Sequence, residues 1–587
     1  MKLISVKILG DTFRSLASNK LYKFNESQHK ARLSPKIFAG LNGSGKSNFL
    51  ELLAEIFFYL EVFHSNSVKP EYKKSKDFGF EIEYMLPMVH PSPIGLLDFK
   101  NSIEFNMHVR IVKELGQYPE FSRKKFGEEH FERIDKLTQY LLPTKVIAYT
   151  SGQNELLSNP FLKIRYHYFK ATENINVASE GKEDEFENQR LFFLDSSSNF
   201  SIFVSNMLLA NPDKLKYLTD IFKVEDLHSF RITINLVNYR KVKISLSENI
   251  KNHILKLKLC STSWIERKKG KEEFLLLDYR VNAATHEAFK YHFKTSFELF
   301  KAFYDLENLN LNLVPVDTRS LILKAHKSLN LSDELPKPDP SRLIFRIEKI
   351  NLNKIVEDGK PSKTIYYKGL SDGEHQFNEV IGSVLMMEQD GCLFLMDEPD
   401  THFNPLWRAK MIEMLNHVAA YKFDSKGKPE AVRKQEIIIT THSPFVISDS
   451  QTDDVYKFDK VKGEVVYINP KIETYGASVS LLLQEIFDRR ISISDLSNYD
   501  LEELREELKE LKKPKVIKAK IDEIREKLVD FGESIEKFDL YSLLSQIETD
   551  VDRHAVKKTI KPTRKKIIPK KGRKSIAKKS SKKKKKK

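Results

Sequence analysis

Continuous runs of apolar residues predict the buried strands of a parallel sheet. Such runs occur in Lys36–Ala39, Val146–Tyr149, Cys392–Met396 and Ile437–Ile439. They do not alternate with polar residues, which is typical of strands that helices cover on both faces. Asn48–Phe57 instead repeats its apolar residues at helical spacing. The pattern therefore predicts an α/β fold with a mixed or parallel central sheet flanked by helices.

The middle of the chain has a mixed pattern. Residues 199–224 and His286–Leu306 have helical spacing, whereas Phe230–Val237 and Ile254–Leu259 alternate as strands do. Heptads are not sustained over several repeats, so we expect no long coiled coil here. The proline-rich stretch 329–341 is a predicted connector. The pattern favours a compact α+β accessory insert.

The stretch 495–548 is charged and has helical spacing. Asp500 with Glu503 fits a capping box, and Pro514 separates two apolar stripes. The first stripe is Leu501, Leu504, Leu508 and Leu511, and the second is Ile517, Ile521, Ile524 and Leu528. We therefore predict a helical hairpin, which is a candidate docking segment for a partner protein.

These patterns divide the chain into five parts. Two of them, 1–155 and 346–480, are the predicted halves of one nucleotide-binding head, and 156–345 is the accessory insert between them. Residues 481–556 are the helical segment, and 557–587 are a tail rich in Lys and Arg.

The basic charge of the chain belongs to the tail. The whole chain carries a formal net charge of +16, and Lys557–Lys587 contain 18 Lys or Arg and no acidic residue. The remainder, with 80 basic and 82 acidic residues, therefore carries −2. We expect the tail to be disordered and to bind nucleic acid without sequence preference, although a role in solubility or attraction to the ribosome surface would have the same composition.

Composition also restricts the class of protein. No stretch approaches the roughly 18 uninterrupted apolar residues of a membrane span, and no secretory signal pattern is present. Cys260 and Cys392 lie in apolar sequence without the spacing of a metal site. We expect a cytoplasmic protein that neither spans nor binds a membrane.

The segment between the first strand and the first helix fits a phosphate-binding loop. Gly40–Ser47 reads G-x-x-x-x-G-K-S, in which backbone N–H groups and the start of the helix face an anion. Lys46 would contact the β- and γ-phosphates of ATP, and Ser47 would ligate Mg²⁺. The residues predicted to bind the nucleotide are Gly40, Asn42, Gly43, Ser44, Gly45, Lys46 and Ser47.

Acidic and imidazole groups follow two of the other predicted strands. Asp397 and Glu398 end the run Cys392–Met396, and His442 closely follows Ile437–Ile439. The carboxyl ends of parallel strands are where open α/β sheets bind ligands. We therefore predict that Asp397 supports Mg²⁺, that Glu398 is the general base for water, and that His442 contacts the γ-phosphate.

A further turn, Leu370–Glu374, reads L-S-D-G-E and opens a predicted helix. With this turn the four motifs resemble the ATP-binding-cassette ATPases, which implies a P-loop head of that type. In that family the Ser-x-Gly turn reaches the γ-phosphate held by the other subunit of a head-to-tail dimer. The resemblance therefore implies that Ser371, Gly373 and Glu374 act in trans, although Asp372 stands where the family usually has glycine.

The same resemblance implies a glutamine that senses Mg²⁺ and the attacking water. Gln153 fits this role, because it follows the apolar strand Val146–Tyr149 and a Ser-Gly turn. The loop Asp400–Pro405 would face the opposite protomer, with Asn404 where the family often has aspartate. The alternative for Gln153 is an ordinary loop position.

The stretch from the phosphate loop through Thr474–Ser478 resembles the restriction system-associated AAA family ATPases and the Septu-type ATPases of bacterial anti-phage defence. This resemblance implies an ATP-driven dimeric switch, or a higher oligomer, that regulates a nuclease or restriction partner. The alternative function is an SMC-like ATPase of DNA repair or chromosome maintenance. The acidic cluster Asp449–Asp454 lacks the spacing of a Toprim nuclease, which argues against a nuclease in the same chain.

Overall fold

The computed structural model describes most of the 587 residues. The described ranges are 1–25, 32–65, 73–74, 78–87, 105–125, 128–152, 155–174, 189–237, 243–269, 272–315, 317–319, 322, 331, 335, 339–356, 362–489, 491–509 and 514–559. Gln153, Leu511, most of the predicted connector 329–341 and residues 560–587 of the predicted tail lie outside them.

The described residues form two compact units, Met1–Asp488 and a second one that begins at Arg489. The strands of the first unit are β1 Lys2–Leu9, β2 Leu21–Lys23, β3 Lys36–Ala39, β4 Gly79–Pro87, β5 Phe105–Lys113, β6 Glu120–Lys125, β7 Glu132–Ile134, β8 Val146–Thr150, β9 Leu191–Leu194, β10 Val224–Asn235, β11 Ser263–Lys269, β12 Glu272–Arg280, β13 Phe345–Lys354, β14 Lys363–Tyr366, β15 Leu393–Asp397, β16 Ala420–Phe423, β17 Pro429–Val432, β18 Glu436–Thr440, β19 Val455–Val461 and β20 Glu464–Ile468.

The helices of the first unit are α1 Lys46–His64, α2 Asn159–Asn174, α3 Ser198–Leu209, α4 Pro212–Phe222, α5 Glu248–Cys260, α6 Ala283–Phe293, α7 Ser296–Glu307, α8 Asp372–Met386, α9 Pro405–Ala409, α10 Met411–Ala419, α11 Pro444–Ser448 and α12 Val479–Phe487. The second unit contains α13 Asp495–Lys509, α14 Pro514–Leu528 and α15 Ile535–Thr559. No helix in the described ranges combines the length and apolar character that a membrane span requires.

The central sheet of the first unit positions the candidate site. Within the described residues it has the strand order β20-β19-β3-β18-β15-β8-β9, and all of these strands are parallel except the edge strand β20. Alternate residues of β18 enter different cores, because Ile438 packs on one face of the sheet while Ile437 and Ile439 pack on the other. The sheet is therefore covered on both faces, which explains its continuous apolar runs.

Two antiparallel sheets complete the described part of this unit, together with the hairpin of β16 and β17. One sheet has the order β2-β1-β4-β5-β6-β7, and the other has the order β11-β12-β10-β13-β14. The fold is therefore mixed α/β, as the sequence predicts. Since Met1–Asp488 forms one compact unit, the division of this stretch into two head halves and an insert stays a prediction.

One predicted strand of the insert is wrong. Ile254–Leu259 alternates over six residues, yet it lies in helix α5. Ser247 caps this helix by accepting a hydrogen bond from the Ile250 N–H at 3.3 Å. Ile250 and Leu257 are buried at helical spacing, whereas Leu255 is 54% exposed. The helical period is recognisable only in a longer window that includes Ile250, because the six residues Ile254–Leu259 alone also fit a period of two.

The second unit is a bundle rather than a hairpin. In its described part the two predicted stripes pack together, with Leu504, Ile521 and Ile524 in one apolar cluster. Leu540 and Leu544 of α15 join this cluster, so a third helix completes the core. The predicted capping box is also wrong, because α13 begins at Asp495 and Asp500 lies inside it.

Candidate functional site

The phosphate-loop sequence forms a tight turn between β3 and α1. Gly40 and Gly45 have φ angles of 136° and 98°, which residues with a Cβ rarely adopt. A Cβ at Gly40 would also collide with the carbonyl oxygen of Phe458, and one at Gly45 would collide with the side chain of Val465. Both glycines are therefore required by conformation and by space.

Lys46 is held against the loop that precedes it. Its Nζ donates to the carbonyl oxygens of Gly40 at 3.0 Å and Leu41 at 3.1 Å. Burial lowers the pKa of Lys46 to about 8, against the opposing charges of Glu398 and Asp397. Within the described residues, the buried Ser44 hydroxyl has no hydrogen-bond partner. A phosphate group in this loop would give both the ammonium and this hydroxyl an anionic partner.

Asp397 connects the acidic strand to the phosphate loop. Its carboxylate Oδ1 accepts hydrogen bonds from Ser47 Oγ at 2.9 Å and from Thr440 Oγ1 at 2.5 Å. The residue is 4% exposed, and burial raises its pKa although both hydroxyls act in the opposite direction. A buried carboxylate next to a serine hydroxyl is a set of hard oxygen donors, which suits Mg²⁺.

Glu398 lies beside His442 at the same edge of the sheet. Glu398 Oε1 is 3.4 Å from His442 Nε2, and this hydrogen bond is the main reason why the pKa of Glu398 lies below its usual value. The Glu398 backbone has a φ of 49°, a left-handed conformation that is uncommon outside glycine. Its N–H donates to Thr440 Oγ1 at 2.9 Å, which fixes this conformation. The carboxylate is ionised near neutral pH and 44% exposed, as a base that meets water needs to be.

The loop after the acidic pair is internally bonded. Thr401 Oγ1 donates to the carbonyl of Glu398 at 2.8 Å and lies 2.9 Å from Ser151 Oγ. Arg408 Nη2 donates to the carbonyl of Thr401 at 2.8 Å. Asn404 caps α9, because its Oδ1 accepts from the Trp407 N–H at 2.9 Å. Asn404 thus has a local structural role.

The Ser-x-Gly turn forms the start of α8. Ser371 and Glu374 make a capping box, in which Glu374 Oε2 accepts from the Ser371 N–H at 2.8 Å and the Ser371 hydroxyl accepts from the Glu374 N–H at 3.3 Å. Lys354 Nζ donates to the other carboxylate oxygen of Glu374 at 2.8 Å. Glu374 is therefore engaged within the chain itself, while Ser371 remains exposed.

The structure brings most of the predicted residues together. Asp397 pairs in register with Thr440 of β18 on one side and with Thr150 of β8 on the other, and Thr440 pairs with Phe38 of β3. The carboxyl ends of these four strands therefore carry the phosphate loop, the acidic pair, the histidine and the segment before Gln153. Gln153 itself lies outside the described residues.

Sequence reasoning missed several neutral residues of this site. They are Tyr149, Gln376, Thr440 and Thr441, each of which bonds to another element of the site. Thr441 Oγ1, for example, donates to Asp400 Oδ1 at 3.0 Å. The signal that could have identified them is their position within two residues of a strand end or in the first turns of α8.

Comparison with known proteins agrees with this geometry. A family model described as "AAA domain, putative AbiEii toxin, Type IV TA system" matches residues 156–448. The match includes the Ser-x-Gly turn, the acidic pair and His442, and it begins after the phosphate loop. The predicted resemblance to ATPases of this AAA type is therefore confirmed.

Two curated proteins share weaker similarity. The protein ea59 of Escherichia phage lambda is 25% identical over 178 residues, which are 29% of this chain and 32% of ea59. The Septu protein PtuA of Bacillus thuringiensis is 25% identical over 142 residues, which are 24% of this chain and 32% of PtuA. The chain thus aligns with about a third of the length of each of these relatives.

Proposed function

We propose that the chain hydrolyses ATP at the carboxyl edge of its parallel sheet. The observation that carries this proposal is the hydrogen bond from Ser47 Oγ to Asp397 Oδ1, which joins the phosphate loop to an acidic strand 350 residues away. This contact unites a phosphate-binding turn with a buried carboxylate, the pair of groups that Mg²⁺-dependent phosphoryl transfer needs.

Each residue has a role that its position permits. Lys46 pairs with the phosphates of ATP, Glu398 accepts a proton from the attacking water, and His442 orients Glu398 and the γ-phosphate. Ser47 and Asp397 would hold Mg²⁺, which would supply positive charge against the β- and γ-phosphates; Gln153, the third predicted ligand, lies outside the described residues. The pairing of His442 with Glu398 keeps the base ionised, since it lowers the pKa of the carboxylate.

We further propose that two protomers close head to tail around two ATP molecules. Ser371 and Gly373 of one protomer would then contact the γ-phosphate bound by its partner, while Glu374 shapes the turn from within. The exposure of Ser371 supports this arrangement, because the residue lies at the surface of the unit at the start of a helix. Hydrolysis would reopen the dimer, so the protein is an ATP-driven switch.

The partial similarity to the Septu protein PtuA supports a place in an anti-phage defence or restriction system of the cytoplasm. In this proposal the switch regulates a nuclease partner, and the bundle of α13–α15 is the docking segment. The tail 557–587 would attract nucleic acid through its lysines.

A mixing experiment tests the composite site. Lys46→Ala and Ser371→Arg each disable both sites of a homodimer, but a mixed dimer retains one intact site, with Lys46 from one protomer and Ser371 from the other. We expect the mixture to hydrolyse ATP although neither variant does so alone. Lys46→Ala mixed with Glu398→Gln is the matched control and should stay inactive, because these two residues act in the same protomer.

The outcomes separate the parts of the proposal. A wild-type protein without ATPase activity would exclude hydrolysis altogether. An active wild type whose variants fail to complement would exclude the contribution of Ser371 in trans. Stimulation of the wild type by DNA ends without any partner protein would favour the repair function over the defence function.

A further inference from the structure

A buried glutamine without a role in the proposed chemistry joins three elements of the site. Gln376 lies in the second turn of α8 and is 2% exposed. Its Nε2 donates to the hydroxyl of Tyr149 at 3.1 Å, and its Oε1 accepts from the His402 N–H at 2.7 Å. Both ends of the amide are thus used, one toward β8 and one toward the loop that follows β15.

The Ser-x-Gly turn itself packs closely against the same loop. A Cβ at Gly373 would lie 2.8 Å from the carbonyl oxygen of His402, so the helix backbone and the loop backbone are in direct contact. Gly373 and Gln376 are three residues apart and share one face of α8. The first two turns of the helix therefore contact His402 at both its N–H, which bonds to Gln376, and its carbonyl, which packs against Gly373.

The contact extends from His402 to the acidic pair. Thr401, the residue before His402, donates its hydroxyl to the carbonyl of Glu398 at 2.8 Å and lies 2.9 Å from Ser151 Oγ. Ser151 in turn donates its N–H to the carbonyl of Asp397 at 3.1 Å. A shift of the loop at His402 is therefore passed through Thr401 to the backbone of Glu398, and through Thr401 and Ser151 to the backbone of Asp397.

Hydrogen bonds to α3 limit how α8 can move. Asn199 of α3 donates its Nδ2 to the carbonyl of His375 and to Glu379 Oε1, both at 2.9 Å. Asn378 donates back to the Asn199 carbonyl at 2.9 Å. Because the helix is bonded to α3 over a full turn, we expect its first turn to move with α3 as one rigid body.

We propose that Gln376 is a positioning residue that couples the Ser-x-Gly turn to Glu398 of the same protomer. This inference rests on the proposed ATPase function and adds a connection between the two sites of the dimer. When the turn contacts the ATP of the partner protomer, Gln376 and Gly373 set the loop at His402, and this loop sets the general base. Each protomer thus aligns its own base when it engages the other nucleotide.

The coupling predicts that loss of Gln376 lowers kcat without changing the affinity for ATP. Gln376 touches neither the phosphate loop nor Lys46 in the contacts above, so its loss should leave ATP binding unchanged. A base displaced by about 1 Å loses on the order of 10²-fold in rate. We therefore expect Gln376→Leu to lower kcat at least about tenfold while the affinity for a non-hydrolysable ATP analogue stays within about twofold.

The variants are chosen to separate positioning from folding. Gln376→Glu keeps one oxygen that accepts from the His402 N–H and places a second oxygen where it can bond the Tyr149 hydroxyl, so it should restore most of kcat. Tyr149→Phe removes one of the two bonds and should lower kcat less than Gln376→Leu does. In combination with Gln376→Leu it should cause no further loss, since Tyr149 acts on the loop through Gln376. Ser383→Ala is the control, because Ser383 lies buried in α8 and its hydroxyl donates to the Val380 carbonyl of the same helix at 2.8 Å.

The full-length variants would be compared by thermal unfolding, analogue binding and steady-state ATPase assays. The inference is supported if kcat falls with Gln376→Leu, recovers with Gln376→Glu and is unchanged in Ser383→Ala. It is overturned if the wild type is active and Gln376→Leu has the kcat of the control, or if kcat and ATP affinity fall together. If Gln376→Leu does not fold, Tyr149→Phe decides by the same two measurements. An inactive wild type would instead overturn the proposed function on which the inference rests.

Discussion

Replacement of Glu398 by glutamine tests the assignment of the general base. The change is nearly isosteric and keeps an oxygen toward His442 Nε2, which is 3.4 Å from Oε1. The backbone bond from Glu398 N to Thr440 Oγ1 is unaffected, because it does not involve the side chain of residue 398. Since the side chain is 44% exposed, we expect the free energy of unfolding to change by less than about 0.5 kcal/mol.

The expected loss is confined to the chemical step. A positioned general base contributes about 10²- to 10⁴-fold, which is about 3 to 5 kcal/mol of activation free energy. ATP affinity should remain within about twofold of the wild type, because Lys46, Ser47 and Asp397 are unchanged. A bound but uncleaved nucleotide should hold the dimer closed, so the variant should gain mass when ATP and Mg²⁺ are added.

The assay combines phosphate release with mass measurement of wild type and variant, each with and without ATP. Glu430→Gln is the matched control, since Glu430 is similarly exposed at 51% and pairs with Lys422 on a hairpin. A Glu398→Gln variant that hydrolyses ATP within about threefold of the wild type would refute the reasoning, because the smallest expected effect is about 10²-fold.

Four further predictions concern pH, stability and charge. The affinity for a fluorescent ATP analogue should fall above pH 8, because burial lowers the pKa of Lys46 to about 8 and only the ammonium pairs with phosphate; Lys46→Ala should flatten this profile. Burial raises the pKa of Glu307 from 4.5 to about 7, so the folded protein loses stability as pH rises between these values; at pH 8, Glu307→Gln should be more stable than the wild type by up to about 3 kcal/mol, which thermal unfolding would show as a higher unfolding temperature. Ile524→Ala should destabilise the bundle by about 2 to 5 kcal/mol and speed hydrogen exchange in 495–559, whereas Val516→Ala, at 47% exposure, should not. Removal of residues 557–587 should flatten the salt dependence of nucleic-acid binding, and an unchanged slope would exclude the tail as the binding element.

The sequence predicts the parts of the site that carry charge or need glycine. Lys46, Asp397, Glu398 and His442 are recognisable because each follows an apolar strand or a glycine turn, and parallel strands gather such residues at one edge. The register that joins β3, β18, β15 and β8 confirms this reasoning.

The periodicity of a short segment does not distinguish a helix from a strand when both periods fit the same residues. Ile254–Leu259 satisfies a period of two, yet Ile250, Ile254 and Leu257 also satisfy the helical period, and the Ser247 cap decides for the helix. Likewise, Asp500 fits a capping box in isolation, but the helix has already started at Asp495. Local patterns therefore place elements only when they extend over several turns or end at a genuine cap.

Most of the site residues that the sequence does not predict are uncharged hydrogen-bonding residues, and Thr440 shows why. Its hydroxyl donates to Asp397 Oδ1 and accepts from the Glu398 N–H, so one oxygen holds the carboxylate of Asp397 and the backbone of Glu398. In the sequence this threonine looks like an ordinary β-branched residue of a buried strand. Its role arises only from the register that places it opposite Asp397, as the role of Gln376 arises only from the packing of α8 against His402. Charged residues thus locate this site in the sequence, while the hydroxyl and amide groups that hold them in place become visible only with the pairing of strands and helices.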